Sequence, residues 1–193
     1  MFKILFLFLL GLTHLFGDCS NCKGNGTVSL DNKEEYLKEL LTIHLITDAI
    51  QLTNEYRDVP TYTEDIYNRS EHIKTFSENF MNVKTDKKAF NHLKEYLNSL
   101  LSLVKDNNLP EMIVVLNSKV NKYTIENDTF NIEILSDVKV DYYIPETKEW
   151  KNKTTTLKIE ATGKFEKSLT KQINPLGVEI NTFKVLYPTK RGN

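Results

Sequence analysis

Apolar residues recur at steps of three and four through the first half of the chain and at steps of two through the second, so helices precede strands. Asp31 followed by Glu34 has the spacing of a capping box. Tyr36, Leu37, Leu40, Leu41, Ile43, His44, Ala49, Ile50 and Tyr56 continue a helical period, which predicts a helix over 33–56. Its apolar face extends to Leu45, Ile46 and Leu52, wide enough to be packed by a sheet and by another helix. Val59-Pro60 stops it, because the residue before proline avoids the helical region. A second helix is expected from Thr63, with Ile66, Ser70, Ile73, Phe76 and Phe80 along one side. A third, over 86–104, carries Phe90, Leu93, Leu97, Leu100, Leu101 and Val104, and the polar run ending in Leu109-Pro110 breaks it.

The period becomes two at Met112. A strand over 113–123 is followed by the turn residues Glu126-Asn127-Asp128. In the next strand Phe130, Ile132, Ile134, Val138, Val140, Tyr142 and Ile144 are all even-numbered. Asn131, Glu133, Asp137, Lys139 and Asp141 fill the odd places, so one face is wet. Pro145 opens a short turn. Leu157, Ile159, Ala161, Gly163 and Phe165 then alternate with Lys158, Glu160, Thr162 and Lys164 in an antiparallel partner. The final strand, 177–187, has Val178 and Ile180 in one phase and Phe183, Val185 and Tyr187 in the other, which predicts a bulge or bend around Asn181 and Thr182. The fold class is α+β: helices packed on a curved antiparallel sheet. A nuclear-transport-factor-two-like cone, a cystatin-like fold and other meanders all satisfy this pattern.

Composition narrows the partners. The 193 residues carry 25 basic and 26 acidic side chains, and only Arg57, Arg69 and Arg191 are arginines, which argues against direct nucleic-acid binding. Lys3 precedes the apolar run Ile4 to Leu12, and polarity begins at Asp18. That order suits an export signal, and the run is short for a membrane span. Residues 1–17 are expected to be a signal peptide cut after Gly17, or a short membrane segment that stays as an anchor. A polar cysteine-containing leader over 18–30, one domain over 31–189 and a tail over 190–193 would follow. Cys19 and Cys22 lack the second pair that zinc needs and the histidine that haem attachment needs, since Lys23 follows. A local disulfide in an oxidising compartment is expected of them.

Between the last two strands stands Asn174-Pro175-Leu176-Gly177. Asn accepts from the backbone beyond it, Pro fixes φ at the first corner and Gly permits a positive φ at the exit, so the string is a turn. With the apolar strand and short polar tail after it, and Trp150 ahead of the penultimate strand, it resembles the periplasmic domain of type IV secretion assembly factors of the VirB/TraE kind. The resemblance is motif-level over 130–187 and architectural before that. It implies the cone fold and a non-enzymatic scaffold without cofactor, on the periplasmic side of the inner membrane. Such a scaffold self-associates and contacts other channel components, and the turn Asn174 to Gly177 takes part in that self-association. Family members carry a cytoplasmic tail and a full membrane span, and the pair Cys19 and Cys22 is not part of their pattern.

Candidate chemistry is sparse. His44, His72 and His92 fall on three different helices without the His-x-x-x-His spacing of a metal site, and no metal is expected. The sequence has no phosphate loop and no nucleophile elbow. His44 lies among apolar residues and is expected to be a packed core histidine. The alternatives are an exported module binding an apolar ligand in the cone, or a small enzyme in which His44 and Asp48, four apart on one helix, form an acid-base pair.

Overall fold

The computed structural model describes residues 30–58, 66–68, 70–84, 86–106 and 110–186. The segment 1–17, the pair Cys19 and Cys22, and the tail 190–193 lie outside the described residues. The principal elements are helices α1 (Leu30–Asp58), α2 (Glu71–Phe80) and α3 (Lys87–Asp106), then strands β1 (Met112–Glu126), β2 (Thr129–Ile144), β3 (Glu149–Phe165) and β4 (Val178–Leu186). The strands form one antiparallel sheet in the order β1-β2-β3-β4, with helices packed on its apolar face, so the α+β class is as expected.

Two helix starts differ from expectation. α1 is already helical at Leu30, which puts Asp31 in its first turn and not at a cap. Ser70, expected on an apolar helix face, is instead the N-cap of α2: its backbone is extended and its hydroxyl accepts the Ile73 N–H at 3.3 Å. A short hydroxyl gains more by satisfying a donor at a helix start than by lying in an apolar stripe. The stripe itself continues as Ile73, Phe76 and Phe80, all buried.

The sheet follows its alternation. Phe130, Ile132, Ile134, Val138 and Val140 of β2 and Leu157, Ile159, Ala161 and Phe165 of β3 are buried beneath the helices. Ser136 shares that buried face and meets Ser118 at 2.9 Å, which in turn faces Thr42 of α1 at 3.3 Å, so the polar interruption is satisfied. The turn between β1 and β2 is Asn127-Asp128, with φ of 48° and 63°. Positive φ at both positions fits a two-residue hairpin that matches strand twist.

Extra residues interrupt the pairing at Leu116 and Asn121 in β1 and at Asn181 in β4. The last is the expected phase switch: Val178 and Ile180 before it, and Phe183 and Val185 after it, all face the core. Each bulge bends its strand and curls the sheet around the helices. Beside the third bulge sits Gly163. A β-carbon there would lie 2.1 Å from the Glu179 carbonyl oxygen and 2.6 Å from the Phe130 ring. Gly163→Ala is expected to cost about 1–3 kcal/mol through overpacking, read as a lower thermal midpoint. An unchanged midpoint would mean that the Glu179 backbone and the Phe130 ring both give way without cost.

Candidate functional site

The turn before β4 is built around one buried amide. Asn174 is fully buried, and its Nδ2 donates to the carbonyls of Asn79 at 3.0 Å and Val178 at 2.8 Å. Its Oδ1 accepts the Val178 N–H at 2.8 Å. The backbone closes around it: Lys171 and Asn174 exchange N–H···O bonds of 3.1 and 3.0 Å, and Gly177 N–H donates to the Asn174 carbonyl at 3.1 Å. Asn79 belongs to α2, 95 residues before Asn174 in sequence, so this side chain ties the first residue of β4 to the end of that helix. Gly177 has φ of 62°, as the turn requires, and its carbonyl accepts the Glu166 N–H at 2.7 Å. Pro175 is exposed and Leu176 half-buried against the core. Of the four motif residues, Asn174 and Gly177 are internal; only Pro175 and part of Leu176 face outward.

A second group lies within the helical layer. His44 and Asp48 project from one face of α1, and His72 from the first turn of α2 reaches both. His44 Nδ1 is 3.1 Å from His72 Nε2, which is 3.3 Å from Asp48 Oδ1. Tyr96 of α3 donates its hydroxyl to Asp48 Oδ2 at 2.6 Å, while Oδ1 is buried and receives no directed hydrogen bond. The His44 ring stacks on Phe76 with centroids 4.1 Å apart. Tyr96 in turn stacks on Phe183 of β4 at 4.2 Å, with planes 8° apart.

Burial sets the charge states. It pushes the Asp48 carboxyl up to about 7, against the opposing pull of the Tyr96 hydrogen bond. His44 is held down to about 3 by burial and by the neighbouring His72, and is therefore a neutral imidazole. Burial also lowers His72. Such a group can relay a proton or ligate a cation. His44 packs against Phe76 while remaining half-buried, and it reaches Asp48 through His72 and not as a directly bonded acid-base pair. The sequence places His72 on a separate helix with no metal spacing to His44, and only the packing of α2 on α1 brings its ring to this pair.

A third feature is apolar and exposed. Met112 pairs with Asp141, Val114 with Lys139 and Tyr143 with Trp150, which places all these residues on the sheet face away from the helices. Trp150 is 65% and Met112 48% exposed, and the Tyr143 and Trp150 rings are 5.5 Å apart. The wet face expected from the odd residues of β2 is thus wet in the middle and apolar at this end. The signal was present in Tyr143, an aromatic among odd-numbered polar residues.

No family model matches the chain, and no curated protein does. Among solved structures it is similar to an Ntf2-like protein involved in plasmid conjugation, at 10% identity and a TM-score of 0.42 over 86% of this chain and 53% of that one. It is also similar to a periplasmic fragment of TraM, at 11% identity and a TM-score of 0.35 over 61% and 80% of the two chains. A third is the periplasmic domain of DotI, at 14% identity and a TM-score of 0.40 over 86% and 100%. The chain spans about half the length of the first of these.

Proposed function

We propose that this protein is a non-enzymatic scaffold of a type IV secretion channel, exported to the periplasmic side of the inner membrane, where it associates with itself and with other channel proteins. The observation that carries the reading is the exposed apolar cluster of Met112, Val114, Tyr143 and Trp150 on the outer sheet face. Large aromatic and thioether side chains held on rigid strands are the usual anchors of a protein interface. The cluster's rim carries Glu111 and Asp141 on one hand and Lys139 and Lys151 on the other. Lys139 pairs with Asp141 at 3.3 Å and Lys151 with Glu149 at 3.4 Å, so the rim is neutralised within the chain around an apolar centre, and a second copy of this chain, covering that centre with its own, is the occupant proposed. The Asn174–Gly177 turn supports the same reading through its resemblance to the secretion assembly factors. Its part is to fix β4 and present Pro175; the buried Asn174 and Gly177 make no outward contact themselves.

Sedimentation velocity tests self-association. The parent is expected to form dimers at micromolar concentration and Trp150→Glu to sediment as a monomer with an unchanged circular dichroism spectrum. A parent that stays monomeric, or a variant that dimerises like it, removes the self-association reading. Cross-linking and purification from membranes tests the channel role separately: recovery of other secretion components supports it, and recovery of soluble metabolic enzymes alone counts against it.

A further inference from the structure

We infer that His44, Asp48 and His72 form a binding site for a divalent transition cation of the zinc kind, which pins α1 to α2. This rests on side-chain geometry alone and does not depend on the scaffold reading. One ligand atom from each of the three side chains lies within 4.8 Å of the other two. Two separations within the group are 3.1 and 3.3 Å. Zinc bonds of about 2.0–2.1 Å in a tetrahedron space their ligand atoms by about 3.4 Å. These two, His44 Nδ1 to His72 Nε2 and His72 Nε2 to Asp48 Oδ1, are therefore already close to the required length.

The chemistry of the donors agrees. Two imidazoles and one carboxylate are a common set of three protein ligands, which leaves a fourth position for water. His72 is partly exposed and gives that position access to solvent. The alternative is a hydrogen-bonded core triad, and with Asp48 ionised, the form that a cation selects, it leaves one atom unprovided for. His72 Nε2 has at most one proton to offer, and that nitrogen faces both His44 Nδ1 and Asp48 Oδ1. Asp48 Oδ1 is buried, aimed into the group, and takes no directed hydrogen bond. A cation at the centre satisfies all three atoms together. Tyr96 completes the arrangement as a positioning residue: its hydroxyl holds Asp48 Oδ2 at 2.6 Å, which leaves Oδ1 turned toward the two rings.

Zn²⁺ and Co²⁺ are the probes. Purified chelator-treated protein is dialysed against each ion, and the bound metal and the visible absorption of cobalt are measured. One equivalent of Zn²⁺ is expected, with cobalt spectra of a four-coordinate site. His72→Gln should abolish both, and Tyr96→Phe should weaken zinc binding about 10–100-fold. His92→Gln should change nothing, because His92 sits on α3 facing Glu95. Cys19→Ser with Cys22→Ser separates the leader cysteines as a source of binding: retention of the metal supports the inference. Loss of the metal in that double variant overturns it. So does metal retained in His72→Gln, or no bound metal in the parent. His72 is partly exposed, so its variant is expected to fold, and circular dichroism checks that it does.

Discussion

Gly177→Val is expected to lower the thermal midpoint by roughly 8–16 °C or more. Two costs coincide at this residue. Its φ of 62° lies in the left-handed region, where a β-branched side chain is a steric outlier. A β-carbon would also stand 2.2 Å from the carbonyl oxygen and 2.9 Å from the carbonyl carbon of Glu166. Those are backbone atoms, and the same stretch of backbone is fixed by the Glu166 N–H to Gly177 carbonyl bond of 2.7 Å, so no rotamer change relieves the clash. The combined penalty is of order 4 kcal/mol or more, in the range reserved for mutations with a named steric cause. Against a total stability of about 5–15 kcal/mol, that removes between about a quarter and most of it. Leu176→Ala one residue earlier removes only a half-buried side chain and should cost about 1–2 kcal/mol, below the range for fully buried leucines. Thermal melts of the two variants beside the parent give the comparison. A Gly177→Val protein that melts with the parent would show that the turn can open without consequence for β4.

The elements that were legible in the sequence are those whose periodicity answers to a single partner. β2 packs one face on the helices along most of its length, and its even-numbered residues could be assigned one by one. The phase change in β4 was equally open to reading, because a bulge at Asn181 leaves apolar residues in both registers. Helix starts were less so. Asp31 has capping spacing by sequence but lies inside α1, and Ser70 was placed in a helix that it in fact caps. Both outcomes depend on which backbone donors are left without partners, and spacing does not reveal that. The His44, Asp48 and His72 group shows the further limit. The first two are an i, i+4 pair, visible on any helical projection. The third arrives through the packing angle of α2 on α1, and Tyr96 through that of α3, and neither angle is written in local sequence. The Asn174 amide combines the two cases. Its turn was readable from Pro175 and Gly177, while its bond to Asn79 required the fold.

That bond makes Asn174→Ala the second large effect. Truncation removes both Nδ2 donations and the Oδ1 acceptance, and leaves the carbonyls of Asn79 and Val178 and the N–H of Val178 without this partner in a buried site. A buried polar group left unsatisfied costs about 1–3 kcal/mol, and water entering the vacated space would recover part of it. A net loss of about 3 kcal/mol is expected, which for a chain of this size lowers the thermal midpoint by roughly 6–12 °C. Asn174→Asp separates the amide's roles. Oδ1 is preserved and can still accept from Val178, but the donor is replaced by a second oxygen facing two carbonyl oxygens. At neutral pH it should be at least as unstable as the alanine variant, since it buries an anion among acceptors. Acidification should reverse the order. In this setting the folded-state pKa is raised above its unfolded value, so the penalty fades as pH falls and the carboxyl regains one proton to donate. Urea denaturation of both variants at neutral and mildly acidic pH measures this. If the aspartate variant gains nothing relative to alanine on acidification, Asn174 does not serve as a donor to Asn79, and the turn is held to α2 by packing alone.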